Sequence, residues 1–302
     1  MNAFLVASRI SRFAPLWLMR SAAHAGANAA WVRHGRSVRR LEDNLHRVTG
    51  LTGRDMRRLS RRSLHSTARY YVEALELRRI KPTQIDARVR VIDPHGTVPV
   101  LRDKPGASLA LSHSGNWDLI GAYTCRNIAP VTAVAEVLKP REVFEEFVAL
   151  RAALGIQILG HEGTSTFREL VRIAKAGDHI IALLADRDLS GSGVEVTMWG
   201  HAVKVAPGPA ALARATGVPL APVFVRYERL HGAARRAAGS RWGSVLEFGP
   251  VLEAAEGASS ADAVAELSSQ WAEWLAERIA AHPEDWHMLQ RFGWVHGVEE
   301  AQ

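Results

Sequence analysis

Four short, predominantly apolar runs, at residues 107–111, 131–135, 156–159 and 179–185, recur through the middle of this sequence. Between them lie stretches whose apolar residues fall at three- and four-residue spacings, as in 141–153 with Val143, Phe144, Phe147 and Leu150. A run that stays apolar without alternating reads as a strand covered on both faces. Such strands separated by helices imply an α/β fold: a mostly parallel central sheet with helices on both faces. Residues 194–199, 219–227 and 245–248 supply further strands. A chain of 302 residues is long enough for one large domain with a full core. No internal repeat or low-complexity linker divides it. One domain is expected: 1–80 as a basic, amphipathic helical N-terminal appendage, and 81–302 as the α/β portion.

Punctuation residues sharpen the pattern. Asp93-Pro94-His95-Gly96 is turn chemistry between two apolar stretches, so 87–101 reads as a hairpin or two short strands. Thr166 and Glu169 have capping-box spacing for a helix reaching Lys175 and closed by Gly177. Pro207-Gly208-Pro209 opens another helix that ends at Gly217. Residues 228–243, rich in Arg and Ala, read as an exposed loop, and 261–281 as a long helix.

The chemistry concentrates where the first apolar run ends, in Ser112-His113-Ser114-Gly115-Asn116-Trp117-Asp118. Gly115 and Asn116 supply a turn, and Trp117, Leu119, Ile120 and Tyr123 start a helical pattern. A histidine at such a turn can take a proton from an alcohol if one ring nitrogen is free and the other is held. A carboxylate about one helical turn away can hold it and stabilise the imidazolium. His113 is therefore the candidate general base and Asp118 its orienting partner. The alternative is a structural histidine in a tight turn, with Asp118 facing the helix dipole. Other active-site signatures are missing: there is no G-x-S-x-G elbow, Walker loop, H-E-x-x-H helix or zinc-ligand spacing, and no metal is expected. With Cys125 as the only cysteine, no intrachain disulfide can form.

The H-x-x-x-x-D string after a strand resembles the signature of the glycerolipid acyltransferase superfamily. The fuller His-Ser-Gly-Asn-Trp-Asp is similar to the branch that holds the lipid A late acyltransferases and the phosphatidylinositol mannoside acyltransferases. That resemblance runs from about residue 41 to about residue 291. It implies an O-acyltransferase with no cofactor and with acyl-CoA as co-substrate. In that branch a Glu follows the strand matched here by 131–135, which makes Glu136 a substrate-positioning residue. A carboxylate lining the pocket corresponds to Asp186 of the Asp186-Arg187-Asp188 triplet. Arg187 then becomes a candidate for bidentate phosphate binding. Asn116 and Trp117, within the motif, are candidate substrate contacts. The Gly/Ser-rich segment after Asp188 would be a mobile rim. His282-Pro283-Glu284-Asp285-Trp286-His287 resembles the family's C-terminal string, expected to pack near the groove without a catalytic role.

Leu41-Glu42-Asp43-Asn44-Leu45, Ala135-Glu136-Val137-Leu138-Lys139-Pro140 and Ala185-Asp186-Arg187-Asp188 look nearer to the mannoside enzymes than to the lipid A enzymes. The implied acceptor is a mannose hydroxyl of mannosylated phosphatidylinositol, and the implied acyl group is palmitoyl. A lipid A precursor acylated from acyl carrier protein is the runner-up. A basic peripheral membrane-binding protein without turnover, and a thioesterase using the same base on water, are the readings from other classes.

The surface charge bears on the partner. The net charge is +7, arginine far outnumbers lysine, and thirteen arginines fall within 33–79. Such a face seeks anionic lipid, nucleic acid or a phosphorylated co-substrate. No groove-reading or stacking motif is present, so no nucleic acid is expected. In 1–31, Phe4, Leu5, Val6, Ile10, Phe13, Leu16, Trp17, Leu18 and Met19 are interrupted by Arg9, Arg12, Pro15 and Arg20. That is too broken to span a bilayer, and its internal charges are unlike a signal peptide. It reads either as an interfacial stretch or as a helix packed on its own domain. Peripheral attachment at the cytoplasmic face of the cell membrane is the expectation.

Overall fold

The computed structural model describes residues 14–295, apart from Pro105, Leu138, Leu189 and Ser190. Three helices come first: α1 (Leu16–Arg33), α2 (Arg36–Thr49) and α3 (Gly53–Glu76). A short helix α4 (Pro82–Arg88) leads into β1 (Val89–Ile92) and α5 (Thr97–Asp103). Strand and helix then alternate as β2 (Ser108–Leu111), α6 (Trp117–Asn127), β3 (Val131–Ala135), α7 (Arg141–Ala152), β4 (Ile156–Gly160), α8 (Thr164–Ala176) and β5 (Ile180–Leu184). A hairpin of β6 (Val194–Met198) and β7 (His201–Val205) follows. The chain continues through α9 (Gly208–Thr216), β8 (Leu220–Arg229), α10 (Gly232–Ala238), β9 (Trp242–Phe248) and α11 (Ser260–Ala281).

Seven strands form one sheet in the order β1-β9-β8-β2-β5-β3-β4. The five from β8 to β4 are parallel; β9 pairs antiparallel with β8 and carries β1 parallel to itself. Helices cover the sheet, and the expected α/β architecture holds. The order places β5, the last of the consecutive strands β2 to β5, between β2 and β3. The chain leaves β2, builds β3 and β4 outward, and returns to fill the gap. The carboxyl ends of β2 and β5 thereby become neighbours, which is where open α/β sheets bind ligands.

The N-terminal helices are built into the body rather than hung upon it. Leu41 and Leu45 of α2 and Leu59 of α3 are almost wholly buried in one cluster with Phe224, Trp271 and Trp286. Each such side chain contributes about 1.5–3 kcal/mol relative to exposure. Asn44 of α2 donates to the carbonyls of Met288 and Gln290 (2.9 and 3.0 Å) and accepts from Trp294 Nε1 (2.9 Å). It joins the start of the chain to its end.

Several local expectations are corrected. Residues 97–103 are helical because the Asp93 carboxylate accepts from the backbone N–H groups of Thr97 and Val98 and caps α5. Thr166 is not a helix cap: α8 starts at Thr164, and Thr166 Oγ1 instead bonds Gly160 O and Glu162 N, while Glu169 pairs with Arg172. The supposed loop 228–243 contains the end of β8, helix α10 and the start of β9. Of the N-terminal stretch, residues 1–13 lie outside the described residues, and the remainder forms α1, packed on α3. The expected rim after Asp188 is also only partly described.

Candidate active site

Parallel register builds the site. Leu111 of β2 lies opposite Leu184 of β5. Two residues beyond each stand His113 and Asp186, so the sheet carries these side chains to the same place. His113 Nδ1–H donates to Asp186 Oδ1 at 2.6 Å, and the His113 backbone N–H donates to Oδ2 at 3.0 Å. Trp286 Nε1–H supplies another bond to Oδ2, at 2.9 Å. Asp186 is completely buried. Burial alone would raise its pKa, but the His113 charge and these donors outweigh it and hold the carboxylate below its ordinary range. With Nδ1 committed, Nε2 has no partner among the described residues, and the ring faces a cavity.

The carboxylate holding His113 is therefore Asp186, and the orienting role expected of Asp118 is corrected. Asp118 is buried in the first turn of α6, where it accepts from Tyr70 OH at 2.9 Å and from Arg151 Nε at 2.6 Å. The motif is a turn as well as a spacing. Asn116 caps α6 by accepting from Leu119 N–H at 2.9 Å, and the helix then directs Asp118 towards α3 and α7. Arg151 is pushed upward in pKa: burial opposes this, but the Asp118 carboxylate prevails.

The C-terminal string clamps the turn. Gly115 N–H donates to Asp285 O (2.9 Å) and His287 N–H to His113 O (2.8 Å). Gly115 has φ 58°, and a Cβ there would lie 2.8 Å from the Val225 carbonyl oxygen, so the turn requires glycine. His287 also enters the cavity. Its Nε2 meets Ser66 Oγ at 3.0 Å, and that hydroxyl donates to Asp285 Oδ1 at 2.6 Å. Ser66 therefore accepts from Nε2–H, which leaves Nδ1 as a bare acceptor, buried without a partner. Burial, with Arg69 and His113 nearby, lowers the His287 pKa to about 3. Burial raises the Asp285 carboxyl to about 6.

Other expected residues divide. Trp117 lines the cavity, its ring 4.0 Å from Tyr70 and 5.9 Å from His113 between centroids. Glu136 and Arg187 stand together at the cavity, 3.4 Å apart, with Glu136 exposed. Arg187 Nε is buried without a partner. Asn116 does not reach the cavity; it is fully buried, and its Nδ2 donates to Glu73 Oε2 at 2.9 Å. Tyr70 and Arg151 lay outside the sequence expectation for the site, whereas Trp286 and His287 belong to the C-terminal string expected to pack near the groove.

The cavity, about 400 Å³, lies between the sheet and helices α6 and α7. That is a size suited to a small-molecule or acyl ligand. His113, Arg187, Glu136, His287, Asp118 and Arg151 are among its polar groups; Leu109, Ala133, Ile158, Ala182 and Phe147 are among its apolar ones. No group of three or more His, Cys, Asp or Glu side chains among the described residues is placed to hold a metal ion. The arrangement can remove a proton from a hydroxyl beside an apolar chain.

Comparison with known proteins matches residues 2–292 to the bacterial lipid A biosynthesis acyltransferase family. The phosphatidylinositol mannoside acyltransferase of Mycolicibacterium smegmatis is 37% identical over 267 residues, 88% of this chain and 82% of its own. That of Mycobacterium tuberculosis is 33% identical over 297 residues, 96% of this chain and 87% of its own.

Proposed function

The chain belongs to the bacterial lipid A biosynthesis acyltransferase family and is an acyltransferase; from that premise we propose that it moves a long acyl chain, palmitoyl, from acyl-CoA to a mannose hydroxyl of phosphatidylinositol mannosides. The observation that carries the chemistry is the His113–Asp186 pair at the apolar cavity. The relatives' names and shared length support the acceptor.

In this reading His113 Nε2 takes the proton from the mannose hydroxyl as its oxygen attacks the thioester carbonyl. Asp186 stabilises the imidazolium that forms. The tetrahedral adduct collapses, the C–S bond breaks, and the proton passes from His113 to the departing CoA thiolate. No covalent acyl-enzyme is needed. Base catalysis of this kind supplies about 10²–10⁴ in rate, and positioning of donor and acceptor supplies much of the rest. Arg187 and Glu136 suit the polar part of the substrates, one by charge and the other as a hydroxyl acceptor. The acyl chain occupies the apolar part of the cavity.

The acceptor is a lipid, so the enzyme works at a membrane surface, as a peripheral protein of its cytoplasmic face. Arg33, Arg36, Arg39, Arg54, Arg58, Arg61 and Arg62 are exposed on α1–α3, as are Trp17, Leu18 and Val32. Each such arginine is worth about 1 kcal/mol near anionic lipid. Among the described residues no helix is long and apolar enough to cross a membrane.

The test is transfer of labelled palmitoyl from palmitoyl-CoA to mannosylated phosphatidylinositol, beside a lipid A precursor with acyl carrier protein as donor. Transfer to the mannoside by wild type and its loss in His113→Ala is the expected result. Transfer only in the lipid A arm overturns the acceptor. Hydrolysis of palmitoyl-CoA without acceptor stimulation makes the protein a thioesterase.

A further inference from the structure

Helix α3 presents three polar side chains at helical spacing, Ser66, Tyr70 and Glu73, and each bonds a different part of the site. Ser66 donates to Asp285 of the C-terminal string, Tyr70 donates to Asp118, and Glu73 Oε2 accepts from Asn116 Nδ2 at 2.9 Å. Of the three, only Glu73 is an acid, and it is 6% exposed. The two cations that act on its charge are engaged elsewhere. Arg88 pairs with Glu76 at 2.8 Å, and Arg69 lies over the Trp242 ring, 3.6 Å from its centroid. Burial outweighs them and raises the Glu73 pKa. A buried acid so placed costs stability that an apolar side chain would not, so packing does not account for it.

What Glu73 holds is Asn116, itself completely buried. The two ends of that amide have separate duties. Oδ1 accepts from Leu119 N–H and starts α6, while Nδ2 must find an acceptor in the interior, which Glu73 provides. With Glu73 present the amide has one orientation. Without it, either Nδ2 is left unpaired or the amide turns and the cap is lost. The preceding turn is tied at its backbone, His113 by Asp186 and His287 and Gly115 by Asp285. Glu73 holds the junction between that turn and α6. The ring of the next residue, Trp117, stands edge-on to His113.

We propose that Glu73 is a positioning residue for the transfer: through the Asn116 amide it fixes the start of α6 against the turn that carries His113, and so sets where the His113 ring stands in the cavity. This rests on His113 as the base of the proposed acyl transfer. Glu73 touches no substrate, since neither it nor Asn116 lines the cavity. Displacing a base by about 1 Å from a distant site can cost 10²-fold in rate.

The experiment is a double-mutant cycle on Glu73→Met and Asn116→Ser, with Glu73→Gln beside it. Turnover of palmitoyl-CoA is read with the mannoside, a lipid A precursor and water as acceptors, so the cycle is closed on whichever acceptor wild type uses. Rates are normalised to folded protein, and amide hydrogen exchange is followed at Leu119. Glu73→Gln keeps an acceptor oxygen and should keep kcat. Glu73→Met should lower kcat by about 10–100-fold with KM for palmitoyl-CoA unchanged, and should speed exchange at Leu119. A serine at 116 caps the helix through its hydroxyl and has no amide to hold, so Glu73→Met should change kcat no further in that background. That pair of variants carries the test if Glu73→Met alone does not fold. Wild-type kcat in a Glu73→Met protein with only a lowered urea midpoint overturns the proposal, as does an equal loss in both backgrounds. A closed cycle on an acceptor other than the mannoside keeps the positioning role and removes the acceptor reading.

Discussion

His113 gains its partner from across the sheet, and this separates the roles of two aspartates that the motif alone would merge. Asp186→Asn preserves shape but removes the charge that stabilises an imidazolium. It should lower kcat by about 10²–10⁴-fold and move the pH dependence of kcat/KM. Asp118→Asn touches another network. It weakens a buried ion pair with Arg151, whose disruption costs about 3–5 kcal/mol, and should lower the urea midpoint while leaving the pH profile of kcat/KM in place. Trp286→Phe removes one donor to Asp186, so kcat should fall about tenfold with little change in KM, a hydrogen bond to a charged group being worth about 1.5–3 kcal/mol. His287 adds a pH effect on stability. Its folded pKa, about 3, lies below the ordinary 6.5, so the fold favours the neutral ring. Its contribution is present above pH 6.5 and is lost as pH falls towards 3, because the unfolded chain binds the proton first. Asp285, raised from 3.8 to about 6, has the opposite slope between those values. His287→Gln should therefore lose less thermal stability than wild type on acidification from pH 7 to 5.

Among elements, α2 shows how far the N-terminal helices enter the fold. Asn44→Ala removes three hydrogen bonds to the C-terminal segment and should cost about 2–3 kcal/mol by chemical denaturation. Leu41→Ala should cost about 2–5 kcal/mol as a core truncation. The sheet strands were legible because uninterrupted apolar runs have few other uses, and the motif strand and helix were legible from Gly115 and Asn116. Strand order was not, since nothing local in 179–185 says that it returns between β2 and β3. The site was legible in the same proportion. His113 and Trp117 follow from the motif, and Asp186 was placed in the pocket only through resemblance, because its pairing is a register of two strands distant in sequence. Arg151 and Tyr70 sit on helices with no turn or spacing signal, and His287 was placed near the groove only through the resemblance of its string. Residues 97–103 were misread because a capping aspartate and a turn aspartate look alike in sequence until the N–H groups they accept from are known.

For the whole molecule, the exposed arginines of α1–α3 and the cavity beside the His113–Asp186 pair suit the proposed transfer between lipid substrates at a membrane surface. Binding to vesicles containing anionic lipid should weaken markedly between about 0.1 and 0.5 M salt, as expected for exposed charges, and binding to neutral vesicles should be weak throughout. The proposed chemistry stands on His113 as the base, held by Asp186 of the neighbouring strand end. The most direct test compares palmitoyl transfer to mannosylated phosphatidylinositol by His113→Ala, Asp186→Asn and Asp118→Asn, each normalised to folded protein. Near-complete loss is expected for the first, a loss of at least 10²-fold with a displaced pH profile for the second, and an undisplaced profile for the third. A displaced profile in Asp118→Asn with an undisplaced one in Asp186→Asn would contradict that pairing.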